Sequence, residues 1–190
     1  MSKKLKNPEE WKNEIKHCRA EVRRIVKEYS EEQLNQRPKP GGWSALECVQ
    51  HLNLTAELMA PVLEKAVESA RKKGIEGTVP FYTGFIGAWF MRGSGPKGGK
   101  IPAPPQYRPK GGGKDMVSDL NAAETSKTFD QLQQRWLDII EKGEGLQLDG
   151  FRARSPVIPI LKLNVATWLE AMPGHQLRHL EQMKRALGER

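Results

Sequence analysis

Residues 42–52 read GWSALECVQHL and mark the start of a long helix. Ser44 and Glu47 form the S-x-x-E pattern of a capping box, in which two side chains and two backbone N–H groups satisfy each other at a helix N-terminus. Trp43, just before the cap, is placed to pack on Cys48 one turn later, as in a hydrophobic staple. A helix is therefore predicted to begin immediately after Ser44.

Three further segments have the apolar period of a helix. The helix that begins after Ser44 is predicted to run from Ala45 to about Lys73, through Pro61. Apolar residues also recur every three or four positions over residues 8–29, and again from Ser118 and from Leu161. Four helices of ~20 to 28 residues are typical of an all-α four-helix bundle. No alternating run is long enough to predict a sheet.

The connection between the second and third helices is much longer than the others. It contains a Gly-, Pro- and Lys-rich loop at about residues 91–117 that has no periodicity. A connection of this length permits a crossover in place of a simple up-down-up-down arrangement. Phe81, Phe85 and Trp89 follow one another at intervals of four, which predicts a short helix inside the connection.

Length and charge limit the classes of function. We expect one domain over residues 1–190, with a formal net charge of +8. Six basic residues and no acidic ones lie between Arg92 and Lys114. A solvated loop is favoured there over a nucleic-acid site, because no aromatic side chains are interleaved with its lysines.

No apolar run reaches the ~18 residues of a membrane span, and we expect no membrane partner.

The cysteine count indicates the compartment. Two cysteines cannot build a framework of several disulfides, and the lysine-rich start of the chain is not followed by an apolar leader segment. The sequence therefore predicts a cytoplasmic protein with reduced thiols.

Three of the four histidines are predicted to face the core. His175 and His179 are four residues apart, so both rings lie on one helix face, one turn apart, where one metal ion can take both. His51 lies on the inward stripe of the second helix. A shared metal ion would satisfy these buried imidazoles, but a hydrogen-bonded core histidine and an accidental pair remain the alternative. His17 is predicted to be a surface residue.

Two segments resemble the signature motifs of DinB-like proteins, with the DinB_2 subgroup as the nearest type. Residues 42–52 resemble the family's W-S-x-x-E-x-x-x-H-L motif, and residues 174–182, GHQLRHLEQ, resemble its closing H-x-x-[RH]-H-[IL]-x-Q element. The resemblance implies a four-helix bundle with a long crossover between helices two and three. It also implies that His51, His175 and His179 hold one divalent metal ion, most commonly nickel or zinc.

The resemblance also implies a class of chemistry. Some relatives join bacillithiol, mycothiol or glutathione to electrophiles, and others are thiol-dependent isomerases. We therefore expect a metal-dependent enzyme that transfers a low-molecular-weight thiol cosubstrate to a small-molecule electrophile, or a hydrolase. The alternative is a non-catalytic, metal-stabilised bundle that binds a small ligand or a protein partner. A homodimer formed through the helix faces is the alternative to a monomer.

No catalytic side chain is assigned, because Glu47 is expected to be a cap and Glu57 a surface residue. Cys48, Phe85 and Trp89 are the candidate substrate-binding residues. Cys48 precedes His51 by three residues on the same face, where it could line the site or add a soft ligand. A free cysteine in a helix is more commonly a small buried apolar residue.

The two aromatic candidates also have a competing interpretation. Phe85 and Trp89, together with Phe81, Tyr82 and the basic loop, are expected near the mouth of the site, where they would contact an apolar or anionic substrate. Core packing beneath the long loop is the favoured alternative for these aromatic side chains.

Overall fold

The computed structural model describes residues 3–96, 98–99, 102–111 and 116–189. The described residues form the helices α1 (Pro8–Glu28), α2 (Glu31–Asn35), α3 (Ala45–Lys72), α4 (Phe85–Ser94), α5 (Ala122–Lys142) and α6 (Val165–Ala186). They also form the short strands β1 (Lys3–Lys4), β2 (Tyr82–Thr83), β3 (Arg152–Arg154) and β4 (Lys162–Asn164), and a 3₁₀ turn at Pro105–Tyr107. The structure is mostly helical, which confirms the all-α prediction.

The four long helices form a bundle in which α3 packs against α5 and α6, and α1 packs against the same two helices. Asn53 on α3 donates to the Thr125 carbonyl near the start of α5, and Arg71 donates to the Lys142 carbonyl at its end. The two helices are therefore parallel neighbours. Parallel neighbours require a crossover, and residues 73–121 provide it. The predicted four-helix bundle with a long crossover is confirmed.

Side-chain caps set where the helices begin. Asn7, Ser44, Asn121 and Asn164 each accept a hydrogen bond from a backbone N–H of the first turn. The third and fourth long helices begin at Ala122 and Val165, about four residues later than the apolar period indicated.

Two short pairs of antiparallel β-strands were not predicted from the sequence. Strand β1 pairs with β2 in the crossover, and β3 pairs with β4 in a hairpin between α5 and α6. Strands of two or three residues are too short for an alternating pattern to reveal them. None of the described helices is long and apolar enough to cross a membrane.

The crossover contains more order than the predicted loop. The expected short helix is present as α4, and it extends to Ser94. The 3₁₀ turn lies further along the same connection. Lys97, Lys100 and Lys114 of the basic stretch lie outside the described residues.

The bundle interior contains two apolar clusters with a polar belt between them. Along α3, residues up to Leu52 belong to one cluster and residues from Ala56 onward to the other. Along α6 the change falls between Met172 and Leu180. The buried polar side chains at these boundaries are His51, Asn53, Thr55, Gln133, Gln176 and His179. His51 and His179 therefore belong to this belt, and the half-buried His175 lies one helical turn from His179.

Candidate metal centre

Three imidazole rings meet in the polar belt. His51 comes from α3, and His175 and His179 come from successive turns of α6. Each ring offers one nitrogen, and the three nitrogens lie within 4.8 Å of one another. Among the described residues, no cysteine or carboxylate joins them in a group of potential metal ligands. The fold thus brings together the three residues that the resemblance implied.

Two backbone carbonyls of the crossover orient the rings. His51 Nδ1–H donates to the Tyr107 carbonyl at 2.6 Å, and His175 Nδ1–H donates to the Ser94 carbonyl at 3.3 Å. A neutral imidazole carries one N–H, so a ring that donates through Nδ1 has a free lone pair on Nε2. The two Nε2 atoms lie 3.0 Å apart. Two lone pairs at this distance repel each other unless a cation lies between them.

This donor set fits a divalent ion. Two nitrogen ligands at ~2.1 Å from one ion lie roughly 3.0 to 3.4 Å apart for ordinary bond angles, which matches the separation of the two Nε2 atoms. Three neutral nitrogens suit zinc, nickel or copper better than magnesium or calcium, which prefer oxygen ligands. The buried Nδ1 of His179 also lacks a hydrogen-bond partner among the described residues. The residues present could therefore hold one transition-metal ion.

Electrostatics keep the cluster neutral. Burial, and then the neighbouring His51, lower the pKa of His175 to about 3. Burial also lowers the pKa of His51, and burial together with the other two histidines holds the pKa of His179 well below its usual value. Neutral imidazole is the form that binds metals, so the cluster needs no deprotonation at pH 7 before it can act as a ligand set.

Arg178 holds the first half of the crossover over the cluster. Arg178 lies between His175 and His179 in the sequence. Its guanidinium donates to the carbonyls of Gly93, Gly95 and Gly99. These carbonyls flank Ser94, whose own carbonyl receives the hydrogen bond from His175. The arginine thus fixes the backbone that orients one of the three rings.

A buried ion pair supports the second half of the crossover. Glu47 accepts from the Arg37 guanidinium at 2.7 and 2.9 Å and from the Ser44 N–H at 2.9 Å. The backbone of Gly111 lies so close that a Cβ there would be 2.6 Å from a Glu47 oxygen. The predicted capping role of Glu47 is confirmed, and Gly111 packs closely against its carboxylate, four residues after Tyr107.

Cys48 is deeply buried and is not part of the ligand group. It packs in the apolar cluster at the start of α3, and it borders the same narrow interior gap as Cys18, Gln176 and His179. Burial strongly raises the pKa of the Cys48 thiol, so the neutral form is favoured. These features are typical of a small buried apolar residue, and a role of Cys48 in substrate binding stays a prediction.

Phe85 and Trp89 face away from the histidines. The inner face of α4 carries Phe90, which packs on the α6 ring of Trp168, and Ser94, which contacts His175. Phe85 and Trp89 lie on the opposite face and are 75% and 69% exposed. The core-packing interpretation is therefore wrong for these two residues, and their role in substrate binding stays a prediction.

The other residues named from the sequence are readily placed. Phe81 is buried and stacks on Trp11, so core packing is correct for that ring, whereas Tyr82 is 45% exposed. His17 and Glu57 are exposed, as predicted.

Sequence reasoning missed several further contributors to the site: Trp43, the carbonyls of Ser94 and Tyr107, and Arg178. Trp43 lies over His51 and His179, with ring centroids 4.9 and 5.8 Å apart. Its position in the first motif is a signal that could have indicated this. Tyr107 contributes a main-chain carbonyl, and side-chain patterns contain no signal for such a contact.

The fold and the site together define a class of protein: helical bundles that hold three inward imidazoles between two of their long helices. A DinB_2 sequence profile, described as DinB superfamily, matches residues 14–183, and the chain belongs to this superfamily. Comparisons with curated proteins and with solved structures found no match. DinB-like proteins are metal-binding, in agreement with the donor set.

Proposed function

We propose that His51, His175 and His179 bind one nickel or zinc ion and that the protein uses it to transfer a low-molecular-weight thiol to an electrophile. The observation that carries the proposal is the convergence of three neutral imidazoles in which two Nδ1–H groups are held by crossover carbonyls. Three protein ligands leave at least one position open, which is typical of catalytic sites. When bound, a divalent ion supplies a Lewis acid that lowers the pKa of a thiol or a water.

We place the entrance to the cluster at His175. His51 and His179 are buried, whereas His175 is partly exposed beside the last turn of α4. A substrate would enter here and meet the positive charge of Arg178, which lies close enough to disfavour the protonated form of His175. Thiols that carry carboxylates, such as glutathione, suit this electrostatic environment.

Among the described residues, those at the cluster orient the reaction, and none of them is assigned as its base. Among the described residues, no carboxylate joins the histidine group, and Glu47 is engaged by Arg37. Ser94 and Tyr107 hold the rings of His175 and His51 in one tautomer, and Trp43 covers one side of the cluster. These contacts preorganise the site before the thiol arrives.

The first test is the metal content of untagged protein, measured by elemental analysis, beside His51→Ala and His179→Ala. His17→Ala is the matched control, because His17 is an exposed histidine outside the cluster. We expect about one ion per chain in the wild type and in the control, and little in either cluster variant. Circular dichroism must show that all four proteins are folded. An empty wild type after incubation with nickel and zinc would refute the ligand assignment.

The second test measures activity of the loaded protein. Glutathione, bacillithiol and mycothiol are each supplied with 1-chloro-2,4-dinitrobenzene, and formation of the thioether is followed by absorbance. We expect turnover that requires the metal and is lost in His179→Ala. Hydrolysis of p-nitrophenyl acetate without thiol transfer would identify a hydrolase instead. Bound metal without either activity would favour the non-catalytic bundle.

A further inference from the structure

Helix α4 presents an apolar face to solvent. Phe85, Ile86 and Trp89 are 75%, 61% and 69% exposed, although large apolar side chains are usually buried. The helix cannot turn this face inward, because its opposite face is already engaged. There Gly87 lies against Thr167, and Phe90 packs on Trp168. Adjacent exposed apolar side chains on an anchored helix mark an interaction surface.

Unpaired cations surround this face. Arg92 follows Trp89 by three residues and lies on the same side of α4. Arg152 and Lys162 border a groove of about 270 Å³ beside Phe85 and Ile86. None of these three cations forms an ion pair among the described residues.

Lys4 adds a further exposed cation beside the face, since β1 pairs it with Tyr82. The groove contains one acidic side chain, Asp149, which accepts hydrogen bonds from the Tyr82 N–H and the Gln147 amide. The surface therefore combines an apolar centre with a margin of predominantly positive charge.

The charge decides between the candidate occupants. A symmetric dimer through this face would bring two predominantly positive margins together, because both copies contribute the same patch. An anionic bilayer offers negative headgroups beside an apolar interior, and aromatic side chains favour that boundary. The net charge of +8 attracts the whole molecule to such a surface.

We propose that α4 docks this protein on anionic lipid bilayers, with Phe85, Ile86 and Trp89 entering the headgroup region and Arg92, Arg152 and Lys162 contacting lipid phosphates. The contact is peripheral and needs no spanning helix. It departs from the sequence-based expectation of no membrane partner, which considered spanning segments alone. No residue of this surface is a proposed metal ligand.

Vesicle sedimentation tests the apolar part of the proposal. We expect the full chain to sediment with vesicles of equal parts phosphatidylcholine and phosphatidylglycerol, and roughly tenfold less with phosphatidylcholine alone. Phe85→Ser combined with Trp89→Ser should abolish sedimentation and leave the circular dichroism spectrum unchanged. Leu58→Ser is the control, because Leu58 is an exposed apolar residue on a different helix, α3, and this variant should bind like the wild type.

Charge reversal tests the electrostatic part. Lys162→Glu should weaken binding to the anionic vesicles several-fold, whereas Lys27→Glu, in the last turn of α1, should do so much less. Equal loss in the two variants would overturn the assignment of the surface. No binding to anionic vesicles, equal binding to neutral ones, or a dimer in light scattering that Trp89→Ser dissociates would each overturn the proposal.

Discussion

Trp43 gives the histidine cluster an intrinsic optical probe. Its ring lies 4.9 Å from His51 and 5.8 Å from His179, measured between centroids, and it is stacked on the latter at 25°. A staple residue at the start of α3 thus also contacts two proposed ligands. No other tryptophan ring contacts a histidine among the described aromatic pairs.

Metal binding should therefore quench the fluorescence of Trp43 in particular. Titration of metal-free protein with Ni²⁺ is expected to reduce tryptophan emission, and Trp43→Phe should remove most of that reduction. Trp136→Phe is the matched control, because Trp136 is buried in an apolar cluster and contacts no histidine among the described aromatic pairs. If Trp43→Phe kept the full quenching, the ion would not bind beside this ring.

The neutral histidines make the metal-free protein sensitive to acid. The pKa of His175 is about 3 in the folded protein against 6.5 for an unperturbed histidine, so between these values the unfolded state binds a proton that the folded state excludes. The free energy of unfolding should therefore fall as the pH drops below about 6.5, by up to ~1.4 kcal/mol per pH unit for each such histidine.

Urea unfolding in EDTA between pH 7 and pH 5 measures this slope. His175→Gln should reduce it by about one proton, whereas His17→Gln, at an exposed position, should leave most of it unchanged. Carboxyl groups with lowered pKa values, such as those of Glu21 and Glu64, lose their stabilising effect only below pH 4.5. A wild-type slope of zero above pH 5 would contradict the neutral, buried cluster.

At the scale of elements, α4 connects the outer surface to the histidines. Gly87 allows α4 to approach α6 closely. At this contact the Thr167 hydroxyl of α6 donates a hydrogen bond to the Thr83 hydroxyl of β2 at 2.8 Å. Seven residues later, Ser94 supplies the carbonyl that orients His175. The position of α4 on α6 therefore affects the orientation of a proposed ligand.

Gly87→Ala should displace α4. The added Cβ would overlap the Thr83 hydroxyl and lie 2.9 Å from a Thr167 methyl carbon, and overpacking of this kind costs ~1 to 3 kcal/mol. We expect lower stability to urea and several-fold weaker nickel binding by calorimetry. Gly84→Ala is the matched control at the N-cap of the same helix, because its Cβ would meet nothing within 4 Å. Equal effects of the two substitutions would refute the role of this contact.

At the scale of the whole molecule, the two apolar clusters share their supporting helices. Helices α1, α3, α5 and α6 each contribute buried residues to both clusters, and the polar belt lies between them. A helix that unfolds at one end therefore loses contacts at the other. This arrangement favours one cooperative unit over the part of the chain that the structure describes.

Calorimetry of the metal-free protein should show a single transition, with calorimetric and van't Hoff enthalpies equal within about a tenth. EDTA is present so that a metal-linked step does not obscure the result. Two separate transitions would contradict the prediction of one domain.

Much of the fold could be predicted from local sequence features. Capping by Ser44 and the helical apolar period predicted the bundle, because these signals lie within one element or its ends. The length of the second connection only permitted a crossover, which the resemblance to DinB-like proteins implied. The short strands could not be predicted, since β1 and β2 are distant in the chain and each is two residues long. The solvent exposure of Phe85 was missed for a related reason. A spacing of four shows that aromatic side chains share one helix face, but it does not show whether that face packs on the core or meets solvent.

The sequence by itself determined the four long helices and which histidines face inward, because helical periodicity sets the face on which a side chain lies. It also indicated the DinB superfamily through two motifs that together include His51, His175 and His179. Only the tertiary structure decided how the rings are oriented, because that depends on carbonyls of Ser94 and Tyr107 that the crossover brings to α3 and α6. Such long-range backbone contacts depend on packing, and no residue pattern encodes them.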